Sequence, residues 1–192
     1  MKTIEKQLSP QESLALIADA IRKTKDNFKD NSSYFMLWGW LIAIASFSFF
    51  ALHQFTAFKF YFLPFPLLVA AGIITTLVWY FKRKGADPTE TYLGYFFSRL
   101  WLVLGLGFIV IVFVSVSQKL PPFLYTLVIA AIGTLVSGLA MKFKPLIIGG
   151  MLFFAAAITG VYIPDVYKPL LAGIAIIAGY LIPGYLLKTA KE

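Results

Sequence analysis

From Tyr34 onward, apolar runs of about 17 to 25 residues alternate with short polar breaks, and every Asp and Glu of that stretch lies in a break or at the C-terminal end. A helix rising about 1.5 Å per residue needs about 20 apolar residues to cross about 30 Å of hydrocarbon. The pattern therefore predicts an all-α, six-helix transmembrane bundle. Its helices are expected at about Tyr34–Gln54, Phe60–Phe81, Leu93–Val116, Phe123–Met141, Pro145–Tyr162 and Pro169–Leu187. The breaks carry turn or helix-start residues, such as Gly85 to Pro88, Pro121 with Pro122, Pro145, and Pro164 with Asp165. Breaks this short make successive helices antiparallel neighbours.

Ahead of the runs the period changes. Ser9, Pro10, Gln11 and Glu12 form a capping box with proline at the first helical position. Leu14, Ile17, Ile21 and Phe28 then make one apolar stripe among Asp19, Arg22, Lys23, Lys25 and Asp26. This predicts an amphipathic helix over about 10–29, with Ile17 and Ile21 as its contact residues. The expected organisation is an N-terminal cytoplasmic segment (1–33), a membrane domain (34–188) and a short cytoplasmic tail (189–192). Asp87, Pro88, Thr89 and Glu90 repeat the capping grammar and predict that the third helix starts near Pro88.

Composition sharpens this reading. The chain is 59% hydrophobic and 14% charged, against roughly 45 to 50% and 25% in soluble domains, and this excludes a soluble fold. About 33 polar residues precede the first run, which argues against a cleaved signal peptide. Of the 17 basic residues only Lys59, Lys119 and Lys168 fall in the first, third and fifth of the breaks between runs; the others gather on the opposite side. The bias predicts both termini in the cytoplasm and a multi-pass protein of the bacterial inner (plasma) membrane. Trp38, Trp40, Trp79 and Trp101 sit near the same ends of their runs, where indoles favour the headgroup layer. The net charge of +8 thus belongs to topology, and nucleic acid is not an expected partner.

Candidate chemistry is sparse. There is no cysteine and one histidine, His53, so no zinc site and no thiolate can be assembled, and no acid lies within a run. No catalytic residue, metal or cofactor is expected. Arg99 is the one ionisable residue that borders on a span; beside Trp101 it reads as an interfacial arginine snorkelling to phosphates, with a lipid-headgroup or anionic-substrate site as the sharper reading. Pro64 and Pro66, and Pro183 with Gly184, mark places where a helix can break. Small residues four apart, among them Gly133 with Ser137, Thr134 with Gly138, Gly39 with Ala43 and Ala175 with Gly179, predict contact seams. Such seams serve packing within one bundle or a homo-oligomer, and packing within the bundle is the preferred reading. Pro66 to Gly72, Pro122 to Gly133 and Pro169 to Gly179 also hint at three similar helical hairpins.

Three segments carry a resemblance: Leu37 to Trp40 (Leu, Trp, Gly, Trp), Lys142 to Gly150 (Lys, Phe, Lys, Pro, Leu, Ile, Ile, Gly, Gly) and Tyr180 to Lys188 (Tyr, Leu, Ile, Pro, Gly, Tyr, Leu, Leu, Lys). The chain resembles a family of uncharacterised bacterial six-span integral membrane proteins with a short cytoplasmic N-terminal helix. The resemblance implies architecture and location and brings no activity. The expected role is therefore non-enzymatic, with the N-terminal helix docking on a cytosolic protein, on the bundle or on the lipid surface. The alternative is a small transporter or channel for an uncharged or lipid-like solute, lined by Thr75, Thr76, Thr134, Ser137, Thr159 and Tyr180.

Overall fold

The computed structural model describes the backbone of residues 10–86 and 92–189 and the side chains of residues 32–82 and 94–189. All of its regular structure is helical: α1 (Pro10–Phe55), α2 (Pro64–Ala86), α3 (Tyr92–Ser117), α4 (Phe123–Ala140), α5 (Lys144–Gly160), α6 (Lys168–Ile176) and α7 (Ile182–Thr189). A π-helical turn, Ile177–Leu181, joins α6 to α7, so the last two form one long element. Five helices are long and apolar enough to cross a membrane: Ser32–Phe55, Pro64–Lys82, Gly94–Ser117, Phe123–Ala140 and Asp165–Thr189. By helix length and hydropathy this is an integral, multi-pass membrane protein.

Two expectations change. The fifth helix is shorter than expected: α5 has 17 residues, about 25 Å of helix, at the low end of the range of about 17 to 25 residues that crosses a bilayer. The chain between Pro145 and Pro169 must also supply the turn at Val161 to Ile163 and the 3₁₀ turn Asp165–Tyr167, which leaves less for the helix. The second helix starts at Pro64 rather than Phe60. Residues 59–63 are folded as turns, with Leu63 N–H donating to the Phe60 carbonyl (3.0 Å) and Phe65 N–H to that of Phe62 (3.2 Å). Pro64 and Pro66 sit in the first helical turn, where a missing N–H leaves no bond unmade, so they begin a helix instead of breaking one. The amphipathic helix expected over 10–29 falls in the part of α1 whose side chains, Ile17 and Ile21 among them, lie outside the described residues, and so does the start expected at Pro88.

The helices do not share the interior equally. Only 6% of the α2 span and 6% of the α3 span is buried, against 56% of Asp165–Thr189. Helix α2 packs on α1, and α3 on α4, while α1, α4, α5 and the α6–α7 element surround the core. At one end Phe49 meets Phe65 and Phe123 edge to face, and these two lie tilted on each other, which ties α1, α2 and α4 together. Helices α3 and α4 close alike: Leu120 N–H donates to the Ser115 carbonyl (2.8 Å) and Phe143 N–H to that of Gly138 (2.9 Å), with Lys119 (φ 58°) and Lys142 (φ 53°) in the left-handed region between. This is the Schellman closure with lysine where glycine is usual.

The hairpin repeat has a structural counterpart. A Cβ on Gly72 would touch the Trp38 ring and Leu41, one on Gly133 the Trp101 ring and Leu104, and one on Gly179 the Phe153 ring. In each hairpin an aromatic ring from the first helix covers a glycine on the second. In the first two the covering pair is a tryptophan and the leucine three residues on, which share a helix face.

Candidate functional site

Two regions gather the residues that carry chemistry or unusual geometry. The first is the core around the π turn. Proline at 183 has no N–H for the Gly179 carbonyl four residues back, and its ring crowds that carbonyl, so the backbone widens over Ile177–Leu181. The widened turn sets Gly179 against α5, where a Cβ on Gly149 would lie 2.1 Å from the Gly179 carbonyl oxygen and one on Gly179 would lie 2.8 Å from the Gly149 oxygen. The two backbones approach so closely that no side chain fits between them. Tyr180, buried in the same turn, meets Phe35 edge-on at 5.0 Å and lies near Trp101 and Phe153 at 6.1 and 6.2 Å. Pro183 and Gly184, expected as a helix break, thus stand just beyond a π turn in a helix that continues.

Beside this core lie two polar orphans. Thr134 and Ser137 on α4 are fully buried, and among the described residues their hydroxyl oxygens find no hydrogen-bond partner. Thr75 and Thr159 instead donate to carbonyls of their own helices, at Ala71 (2.8 Å) and Ala155 (2.9 Å), and Thr76 accepts from Trp38 Nε1 (3.1 Å). The six residues expected to line a passage are therefore dispersed among the core, the helix contacts and the outer faces.

The second region is an open groove of about 410 Å³ between α1, α2 and α7, at the end where Lys82 and Lys188 lie. Of its lining residues, Ser33 and Lys188 stand next to the ends of their spans and mark its rim; Met36, Leu37 and Leu41 supply its aliphatic floor, and Trp40, Trp79 and Tyr185 its rings. Trp40 Nε1 donates to the Tyr185 hydroxyl oxygen (3.1 Å), which pins two aromatic side chains along one wall. The gradient from rim to floor follows α1, since Ser33 and Leu41 are eight positions, or about 12 Å, apart. Trp40 and Trp79 were legible as interfacial tryptophans, but Tyr185 and Lys188 join them only because α7 returns antiparallel to α1.

The remaining candidates do not converge. Arg99 is exposed, with its guanidinium carbon 5.0 Å from the centre of the Tyr95 ring one turn earlier on α3. Trp101 is half-buried, covering Gly133 and meeting Phe35 edge-on at 6.0 Å, so it faces the bundle while Arg99 faces out. His53 is exposed, stacked on Phe49 and edge-on to Tyr61 at 4.7 Å. Among the described residues no three His, Asp or Glu side chains are grouped to hold a metal ion. The small-residue seams are buried within the chain at Gly39, Ala43, Gly133, Ser137, Gly138, Ala175 and Gly179. Comparison of the chain with protein-family models, curated proteins and solved structures finds no match, so the family suggested by the three sequence segments is not identified, and the architecture of five long apolar helices stands on the chain's own evidence.

Proposed function

We propose that this is a non-enzymatic membrane protein whose N-terminal helix is a docking element, with both termini on the cytoplasmic side of a bacterial inner membrane. The observation that carries the reading is the length of α1: its helical backbone runs from Pro10 to Phe55, whereas its apolar span begins only at Ser32. A docking stripe built on a helix that continues into a span is held at a set distance and phase from the membrane. Side chains inside the bundle compete less for the role, because Thr75 and Thr159 bond to carbonyls of their own helices and Thr76 is taken by Trp38.

The test replaces Ile17 and Ile21 together with Asp in the full-length protein and compares photo-crosslinks formed in native membranes from positions flanking the stripe. The double variant is expected to remain in the membrane and to lose a crosslinked species that the wild type forms. Unchanged crosslinks together with unchanged localisation and growth would remove the N-terminal helix from the function.

A further inference from the structure

The groove between α1, α2 and α7 is not accounted for by a docking role of the N-terminal segment, and its lining changes from polar at Ser33 to apolar along α1. At the rim stand the Lys188 ammonium and the Ser33 hydroxyl, and the described residues that line the groove include no carboxylate. The floor is aliphatic, and the walls are the indoles of Trp40 and Trp79 with the ring of Tyr185. Because Tyr185 oxygen accepts from Trp40, its own O–H hydrogen is left to donate. The Lys188 ammonium with hydroxyl donors beside it attracts an anion, an apolar strip about 12 Å long on α1 accommodates a hydrocarbon chain, and the flanking indoles favour the headgroup boundary. Exposed Lys82, three residues beyond Trp79 on α2, adds positive charge at the same end. The volume is within the range of about 300 to 1,000 Å³ typical of ligand pockets.

We propose that this groove binds one anionic glycerophospholipid. Its phosphate sits at Lys188, with Ser33 and the Tyr185 O–H as further donors, and one acyl chain runs along Met36, Leu37 and Leu41. The site rests only on the bundle being in a membrane and is independent of what the N-terminal helix docks to. A lipid here would bridge α1, α2 and α7 where α1 leaves the membrane, and would hold the peripheral α2 to the rest of the bundle.

The experiment is native mass spectrometry of the full-length protein in mild detergent with equal amounts of dioleoyl phosphatidylglycerol and dioleoyl phosphatidylcholine. The wild type should retain the phosphatidylglycerol about tenfold better, the effect of one charge-assisted contact. Lys188→Gln should bring the two lipids close to parity, and Lys188→Arg should keep the preference. Leu37→Trp, which fills the floor, should weaken retention of both. Quenching of tryptophan fluorescence by phosphatidylglycerol brominated on its acyl chains gives a second readout: in the wild type it should exceed quenching by brominated phosphatidylcholine, and it should fall in Trp40→Phe. Equal retention of the two lipids by the wild type, an unchanged preference in Lys188→Gln, quenching indifferent to Trp40, or a polypeptide crosslinked in the groove in place of lipid would each overturn the assignment.

Discussion

Helices α5 and α3 each carry a close pair of glycines in an apolar run, Gly149 with Gly150 and Gly105 with Gly107, and use them in opposite ways. On α5 both are buried and point to different neighbours: a Cβ on Gly149 would strike the Gly179 carbonyl of the π turn, and one on Gly150 would lie 2.8 Å from the Leu135 backbone of α4. On α3 a Cβ at Gly105 would meet nothing within 4 Å, and one at Gly107 only the tip of Ile129 at 3.6 Å. The first pair lets three helix backbones close on one another, which is how helices associate where no hydrophobic effect pulls them together. The second pair lies on a helix that offers Val103, Ile109 and Phe113 to its surroundings. Glycine in a membrane helix is therefore a packing device only where a second backbone comes to meet it.

Three substitutions grade that contrast. Gly149→Ala should be the most damaging, costing about 3 kcal/mol or more, because neither backbone can yield to the added methyl. Thermal unfolding in detergent or nanodiscs reads it, and a midpoint matching the wild type would dissolve the distinction between the two helices. Gly133→Ala should cost less, about 1 to 2 kcal/mol, since its neighbours are the Leu104 tip at 2.6 Å and the Trp101 ring at 3.0 Å, which can shift rotamer. A change in tryptophan emission should accompany it. Gly105→Ala should be neutral or stabilise by up to about 0.5 kcal/mol through helix propensity. A loss of stability at Gly105, or a change in oligomeric state in native membranes, would instead show that the open face of α3 is covered by another copy of the chain.

The helical class and most helix positions are legible along the chain because hydrocarbon imposes a length and excludes charge, both of which are one-dimensional properties. Pro64 was legible only as a place of backbone irregularity: expected as a helix break, it begins α2, because residues 59–63 form the turns ahead of it. The role of Trp101 was less legible: proximity to Arg99 suggested the interface, but a helix turns about 100° per residue, and the residue two places on faces the core. The groove was not legible at all, for Trp40 and Lys188 are distant in sequence and are brought together by the antiparallel return of α7.

What the sequence alone determined is that the chain lives in a membrane as antiparallel helices, since burial of apolar length and confinement of charge to the breaks need no knowledge of partners. Only the tertiary structure decided that α5 is shorter than the five long apolar helices, that Pro183 is accommodated by a π turn against Gly149, and that a donor-rimmed groove opens beside Lys188. Each of these depends on how closely two backbones approach and on which faces meet, and no periodicity within a single helix encodes either.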